Sequence, residues 1–476
     1  MLGFKDLLAL PSDAQSLFVT RAIRLFTYGL VGVILVLFVK ELGLSDTSVG
    51  SFLTLTLIGD ALVSLYVTGN ADHMGRRFML VLGCALMAFA GLAFALLPSF
   101  SVFDAWLSGT DVAKDMAGWQ GWIFYLIVVL IGTVGVISPS GNEVGPFMAL
   151  EQSVLSNFIP AASRATSFAW YNLIGYVSTA FGSLFAGLLI SYLTETSILS
   201  AVFSITMLVE SPTQFHMSQN STIPDASMSK LNSYRIIIAL YGVFGILLAI
   251  AFMKLTSKVE IERVQESVTV SERTPLLSGA VPQPSTPVAT QQQRRSWLPG
   301  FASLSTESRY TVVKLCFLFT LDSFAGACVT GSILAYWFKY KFGVDEAYLG
   351  GVLFGSNIIA GVSSLFAGWI SNKIGMVNTM VVTHLPSNVL MLMVPLMPNL
   401  FWSTAVLFLR YSISQMDVGP RQAYVASIVQ PNERTAVIGL TNIVKSVGSA
   451  FGPLLAGWLI ERGYFDACFF VCGGSR

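Results

Sequence analysis

The chain reads as an all-α integral membrane protein of two pseudo-symmetric six-helix bundles, and three observations predict this. Of its 476 residues, 54% are hydrophobic and 11% charged, with mean hydropathy +0.69; a soluble domain carries about 25% charged residues. Apolar runs near the ~20 residues that cross a bilayer recur along most of the chain. Finally, the string TGNADHMGRR (68–77) returns in degraded form as GWISNKIGMV (368–377), each in a short polar break between apolar segments.

The expected spans, in order, are 20–40, 47–69, 77–98, 121–148, 165–192, 233–254, 310–338, 347–371, 376–398, 400–424 and 436–460. After Arg462 only GYFDACFFVCGGSR remains. That is too short to cross as a helix, so a twelfth span reads as truncated. Most Lys and Arg fall on or next to the loops that share a side with the N-terminus, which places that terminus in the cytosol. Residues 1–254 then form the first bundle and 309–476 the second, with five full helices and the truncated sixth. Between them, 255–308 is rich in Ser, Thr, Pro and Gln, cannot bury a core and is expected to be a disordered cytosolic linker.

Two short motifs bear on location. Asn220-Ser221-Thr222 is the one N-glycosylation sequon, and it falls in the long outside loop after span five. In the linker, Glu272-Arg273-Thr274-Pro275-Leu276-Leu277 resembles the acidic dileucine sorting signal of vacuolar and lysosomal membrane proteins. A vacuolar or lysosomal membrane, or else the plasma membrane, is the expected location. The N-terminus lacks a signal-peptide pattern. The five cysteines lie mostly in apolar segments without metal-site spacing, and a net charge of +1 gives no footprint for nucleic acid.

The repeat extends through both halves. Leu25-Phe26-Thr27 matches Leu318-Phe319-Thr320; Gly43, Gly50 and Gly75 match Gly343, Gly350 and Gly375. Glu143-Val-Gly-Pro146 matches Asp417-Val-Gly-Pro420, Arg164 and Asn172 match Arg434 and Asn442, and Ala180–Gly187 matches Ala450–Gly457. The spacing falls from 300 to 274 between spans three and four, so about 99–120 is an outside insertion in the first half alone.

These residues carry a family resemblance. TGNADHMGRR resembles the loop 2–3 signature of the major facilitator superfamily, Gly-x-Leu-Ala-Asp-Arg-x-Gly-Arg-Arg/Lys. Asp72, Gly75, Arg76 and Arg77 match, while Thr68 and His73 depart. The second copy keeps Gly368, Lys373 and Gly375 and has Asn372 for Asp. The resemblance implies alternating access about a midplane site between the halves. It also makes Asp72, Gly75, Arg76 and Arg77 a gating latch, with Gly75 turning tightly between spans and the arginines among the lipid headgroups. Gly182-Ser-Leu-Phe-Ala-Gly187 in span five partly matches the family's proton-antiporter signature, whose proline appears instead at Pro453 in span eleven. The branch indicated is that of drug and metabolite proton antiporters.

An ionisable group inside a span costs roughly 3 kcal/mol or more and is a functional candidate by default. Asp60, Glu143, Asp322, Arg410 and Asp417 qualify. In the family, helices one, four, seven and ten line the cavity, which would put Glu143, Asp322, Arg410 and Asp417 on lining helices. Glu143 and Asp322 have no basic neighbour within a turn and are the leading proton carriers, with Asp417 and Asp60 as further proton-coupling candidates; the rival is static neutralisation of Arg24 or Arg410. Asp417 and Arg421 are i,i+4 and can pair within one helix. Arg410 could face an anionic substrate or Asp322. Tyr28, Asn142, Gln415 and Trp337 are further substrate-contact candidates, and His384 is expected to be a structural histidine away from the cavity. No nucleotide-binding Gly-rich loop or catalytic constellation occurs. The expectation is therefore a monomeric secondary transporter without a cofactor and not an enzyme, using protons to export a small organic molecule. A small-anion or nutrient facilitator, or a non-transporting sensor on the same fold, stands as the alternative.

Overall fold

The computed structural model describes residues 10–108, 118–135, 146–159, 164–195, 226–256, 306–427 and 434–474. The first half holds α1 (Ser12–Glu41), α2 (Asp46–Met74), α3 (Arg76–Leu96), α4 (Phe100–Ser108), α5 (Trp119–Val134), α6 (Pro146–Phe158), α7 (Arg164–Glu195) and α8 (Ala226–Met253). The second holds α9 (Thr306–Ala327), α10 (Gly331–Phe342), α11 (Glu346–Ile374), α12 (Met376–Met393), α13 (Leu400–Ser414), α14 (Val418–Ser427), α15 (Arg434–Glu461) and α16 (Ala467–Gly474). The molecule is an all-helical membrane protein. Eight stretches among the described residues are long and apolar enough to cross a bilayer.

Two expected spans are not single helices. Span seven is divided between α9 and α10, and span ten between α13 and α14. Each break has a local mark. Pro420 lies in the first turn of α14, where a proline is tolerated. Thr330 caps α10, its hydroxyl accepting from the Ile333 amide at 3.3 Å. Interrupted helices survive in a membrane only where protein or a cavity satisfies the freed backbone groups. The insertion at about 99–120 contains the short helix α4, and its Phe100 amide donates to the Leu42 carbonyl at 2.9 Å.

Packing repeats with the sequence. α1 lies against α7 as α9 lies against α15, and the halves meet through α7 with α11 and α2 with α15. Glycines set these two interfaces. A β-carbon on Gly50 would sit 2.4 Å from the Pro453 carbonyl oxygen and 2.9 Å from Gly457 Cα. One on Gly187 would sit 2.4 Å from the Glu346 carbonyl oxygen and 3.0 Å from Gly350 Cα. Gly50 and Gly350 are repeat partners, as are Gly187 and Gly457, so the pseudo-two-fold exchanges the contacts.

Polar contacts close the same end. Tyr336 donates to Asp46 (3.1 Å), Glu461 accepts from the Thr47 amide (2.9 Å), and Ser332 donates to the Gly32 carbonyl (2.9 Å). Tyr234 on α8 donates to Glu346 on α11 at 2.6 Å, and Lys339 on α10 pairs with Glu346 and donates to Tyr234 at 3.2 Å.

Candidate functional site

Several charged residues of the spans gather in two clusters, one in each half. In the first half, Arg24 on α1 bonds both oxygens of Glu151 on α6 at 2.7 and 2.8 Å, and neither side chain is exposed. Tyr171 on α7 also donates to Glu151. The Arg24 guanidinium lies over Phe147, 4.5 Å from its centroid. Below it, Arg21 stacks on the Tyr171 ring at 3.7 Å and donates to the Tyr171 carbonyl at 2.8 Å.

In the second half, four ionisable groups from three spans meet. Asp322 on α9 pairs with Arg421 on α14 at 3.1 Å. Arg421 also reaches Asp417, one helical turn earlier, at 3.5 Å. His384 on α12 stands between the carboxylates, Nε2 at 3.2 Å from Asp322 and Nδ1 at 3.3 Å from Asp417. Lys445 on α15 lies within electrostatic reach of Arg421, Asp322 and Asp417. Its ammonium rests 4.4 Å from the centroid of Phe319, whose ring Arg421 also approaches at 5.8 Å.

The spacing of the repeat aligns the two clusters. His384 corresponds to Cys84, Asp322 to Gly29, Arg421 to Phe147 and Lys445 to Gly175; Arg24 and Glu151 correspond to Phe317 and Val425. Each half has therefore placed its charges at different positions of the repeat. Exposure separates them. The first pair is sealed at 0% exposure, whereas Asp322, His384 and Arg421 are 20%, 27% and 20% exposed. A sealed bidentate pair fixes helices. A partly open cluster leaves its contacts free to rearrange.

His384, expected to be a structural histidine away from the cavity, stands instead between two of the acidic candidates. An imidazole can donate to both carboxylates only when both nitrogens carry hydrogen, so each proton gained or lost rewrites one of the two contacts. Arg410 does not face Asp322, which Arg421 takes; it is buried, with its guanidinium 5.1 Å from the Tyr411 ring centroid. Trp337 is fully enclosed. Its indole donates to Asp466 at 2.8 Å and packs on Phe469 at 4.6 Å, so here it presents no face to a substrate.

Other candidates fall elsewhere. Tyr28 is buried and stacked on Tyr241, with centroids 6.3 Å apart. Gln415 ends α13 and accepts from Tyr176 on α7 at 2.8 Å, a contact between the halves. Asp60 is 1% exposed in α2, and its Oδ1 has no hydrogen-bond partner. Asn142, Glu143, Asn220, Glu272, Leu276 and Leu277 lie outside the described residues, and of Asp72 only the helical backbone is described. Gly75 turns between α2 and α3 with φ 96°, and its repeat Gly375 with φ 85°. The flanking arginines are not both among headgroups. Arg76 is buried, and Arg77 donates to the Met253 carbonyl near the end of α8, where helical carbonyls need donors.

Glu151 and Lys445 were missed at the sequence level. Lys445 carried a usable signal, a lone cation well inside span eleven. Glu151 lies beyond the expected end of span four, and only helix packing brings it to Arg24.

The model of the Major Facilitator Superfamily matches residues 17–419. The chain is 26% identical over 465 residues to the uncharacterized membrane protein YJR124C of Saccharomyces cerevisiae, covering 97% of this chain and 91% of that one. Among solved structures it is similar to a bacterial homologue of the human lysosomal transporter Spinster in an inward-facing, unoccupied conformation (TM-score 0.60, 16% identity, 97% and 92% of the two chains). It is also similar to a mutant of the nucleoside transporter NupG (TM-score 0.61, 13% identity, 98% and 97%) and to a D-xylose–proton symporter (TM-score 0.59, 14% identity, 97% and 94%). At these identities the likeness is one of fold.

Proposed function

The chain belongs to the major facilitator superfamily, and from that premise we propose that it is a proton-coupled secondary transporter of a small organic molecule. The observation that supports this reading is the partly exposed cluster of Asp322, His384, Asp417 and Arg421. In this reading His384 and the two carboxylates take up and release the transported proton, and Arg421 holds the carboxylates in place. Protonation changes the contacts among α9, α12 and α14, which biases the halves between their two arrangements. Arg24 and Glu151 take no part in proton coupling and brace the first bundle. Arg410, Tyr28 and Gln415 remain the substrate-contact candidates, joined by Asn142 and, for the proton, by Glu143 and Asp60.

The N-terminus is cytosolic in this proposal, which makes the closed end the outer or lumenal one. Export from the cytosol across a vacuolar or lysosomal membrane fits the dileucine motif, and Asn220 would then be glycosylated on the far side.

The experiment is flux into proteoliposomes under an imposed pH gradient, with drugs, sugars, amino acids and organic anions as the panel. Accumulation driven by the gradient and lost in His384→Gln and Asp322→Asn is the expected result. Flux that ignores the gradient would instead make the protein a facilitator, and pH-dependent flux unchanged in both variants would remove the cluster from the coupling.

A further inference from the structure

Lys445 is the twelfth residue of the 28-residue helix α15. At 1.5 Å per residue it lies about 16 Å from the start of the helix. That depth is too great for anchoring at a headgroup, and a charge there is costly unless it serves a purpose. Its ammonium forms no ion pair or hydrogen bond among the described residues and rests on the face of Phe319, 4.4 Å from the centroid. The neighbouring cation, Arg421, is engaged by both carboxylates of the cluster at 3.1 and 3.5 Å. Among the described residues, with His384 carrying two protons, three cations (Arg421, His384 and Lys445) face two carboxylates (Asp322 and Asp417). One positive charge is left over, and Lys445 is the half-buried cation that makes no ion pair among them.

We propose that Lys445 is the docking point for an anionic group, a carboxylate or a phosphate, on the transported molecule. Phe319 holds the ammonium in place by cation–π attraction. Arg421 adds long-range attraction without giving up its carboxylates. The docking rests on the transport reading above but needs no proton coupling, so the two can fail separately.

The test is thermal unfolding of the purified full-length protein in detergent at matched ionic strength. The probes are lactate, inorganic phosphate, glucose and choline; the proteins are the wild type, Lys445→Gln and Lys445→Arg. Lactate, phosphate or both should raise the Tm of the wild type and of Lys445→Arg but not of Lys445→Gln, with glucose and choline without effect. Which anion acts separates a carboxylate cargo from a phosphate one, and the ligand-free Tm of Lys445→Gln shows whether that variant is folded. No shift from either anion in the wild type, an equal shift in Lys445→Gln, or stabilisation by choline or glucose alone would overturn the proposal. A Lys445-dependent shift in a protein whose flux ignores a pH gradient would retain the docking site and reject the proton coupling.

Discussion

Arg24 and Glu151 stand 127 residues apart in the chain and form a two-pronged ion pair with no exposure of either side chain. Taking one partner away leaves a buried charge uncompensated, which costs about 3–5 kcal/mol, whereas replacing both by apolar residues of similar volume is often neutral. Arg24→Met and Glu151→Leu should each lower the Tm strongly, and the double variant should recover most of the loss. A double variant as unstable as the sum of the singles would show that the pair does not act as a unit.

The pair on the other side of the repeat should behave differently. Asp322→Asn and Asp417→Asn leave a partly exposed Arg421 and His384 beside water, so stability should fall by less than in Glu151→Leu. Gradient-driven accumulation should nonetheless disappear in His384→Gln, while exchange of substrate at equal concentration on the two sides persists. Exchange lost in step with accumulation would mean that His384 serves the fold or the substrate and not the proton.

The closed end should depend on the Tyr234–Glu346 bond of 2.6 Å between the halves. A hydrogen bond to a charged group is worth about 1.5–3 kcal/mol, so Tyr234→Phe should shift the population toward the opposite arrangement about tenfold or more. Spin labels at the adjoining ends of α2 and α15 would report the shift as a longer distance. An unchanged distance distribution would remove this bond from the gate.

Gly50 gives a harsher version of the same measurement. A side chain there meets the Pro453 carbonyl at a distance no real β-carbon adopts. Gly50→Val should prevent closure of this end and abolish turnover while the protein remains folded. Turnover within a few-fold of wild type would show that α2 and α15 can slip apart and still close.

Trp337→Phe tests the placement of an expected substrate contact. The variant keeps the packing on Phe469 but loses the 2.8 Å bond to Asp466. It should cost about 1–3 kcal/mol of stability and leave substrate affinity as it was. A changed KM with unchanged Tm would return Trp337 to the substrate path.

Much of the molecule is legible in the one-dimensional string because its causes are local. A membrane span must satisfy its own backbone and cover its length with apolar side chains, so helices show as runs of fixed length. The duplication shows as matched motifs, and Pro420 marks the break before α14 that the expected span 400–424 passed over. Even the close approaches were visible as glycines, although not which ones would face one another.

The partners of the charges were not legible. Asp417 and Arg421 share a helix, and their i,i+4 spacing did predict contact. The remaining pairs, Arg24 with Glu151, Asp322 with Arg421, and His384 with both aspartates, join different helices. Their geometry depends on how far each helix slides and turns against its neighbours, which is set by side-chain packing summed over whole helix faces. The sequence by itself determined that ionisable residues lie within the spans and that two halves repeat. Only the tertiary structure decided which charges are sealed and which stay partly exposed, because burial belongs to the packed bundle and not to any residue in it.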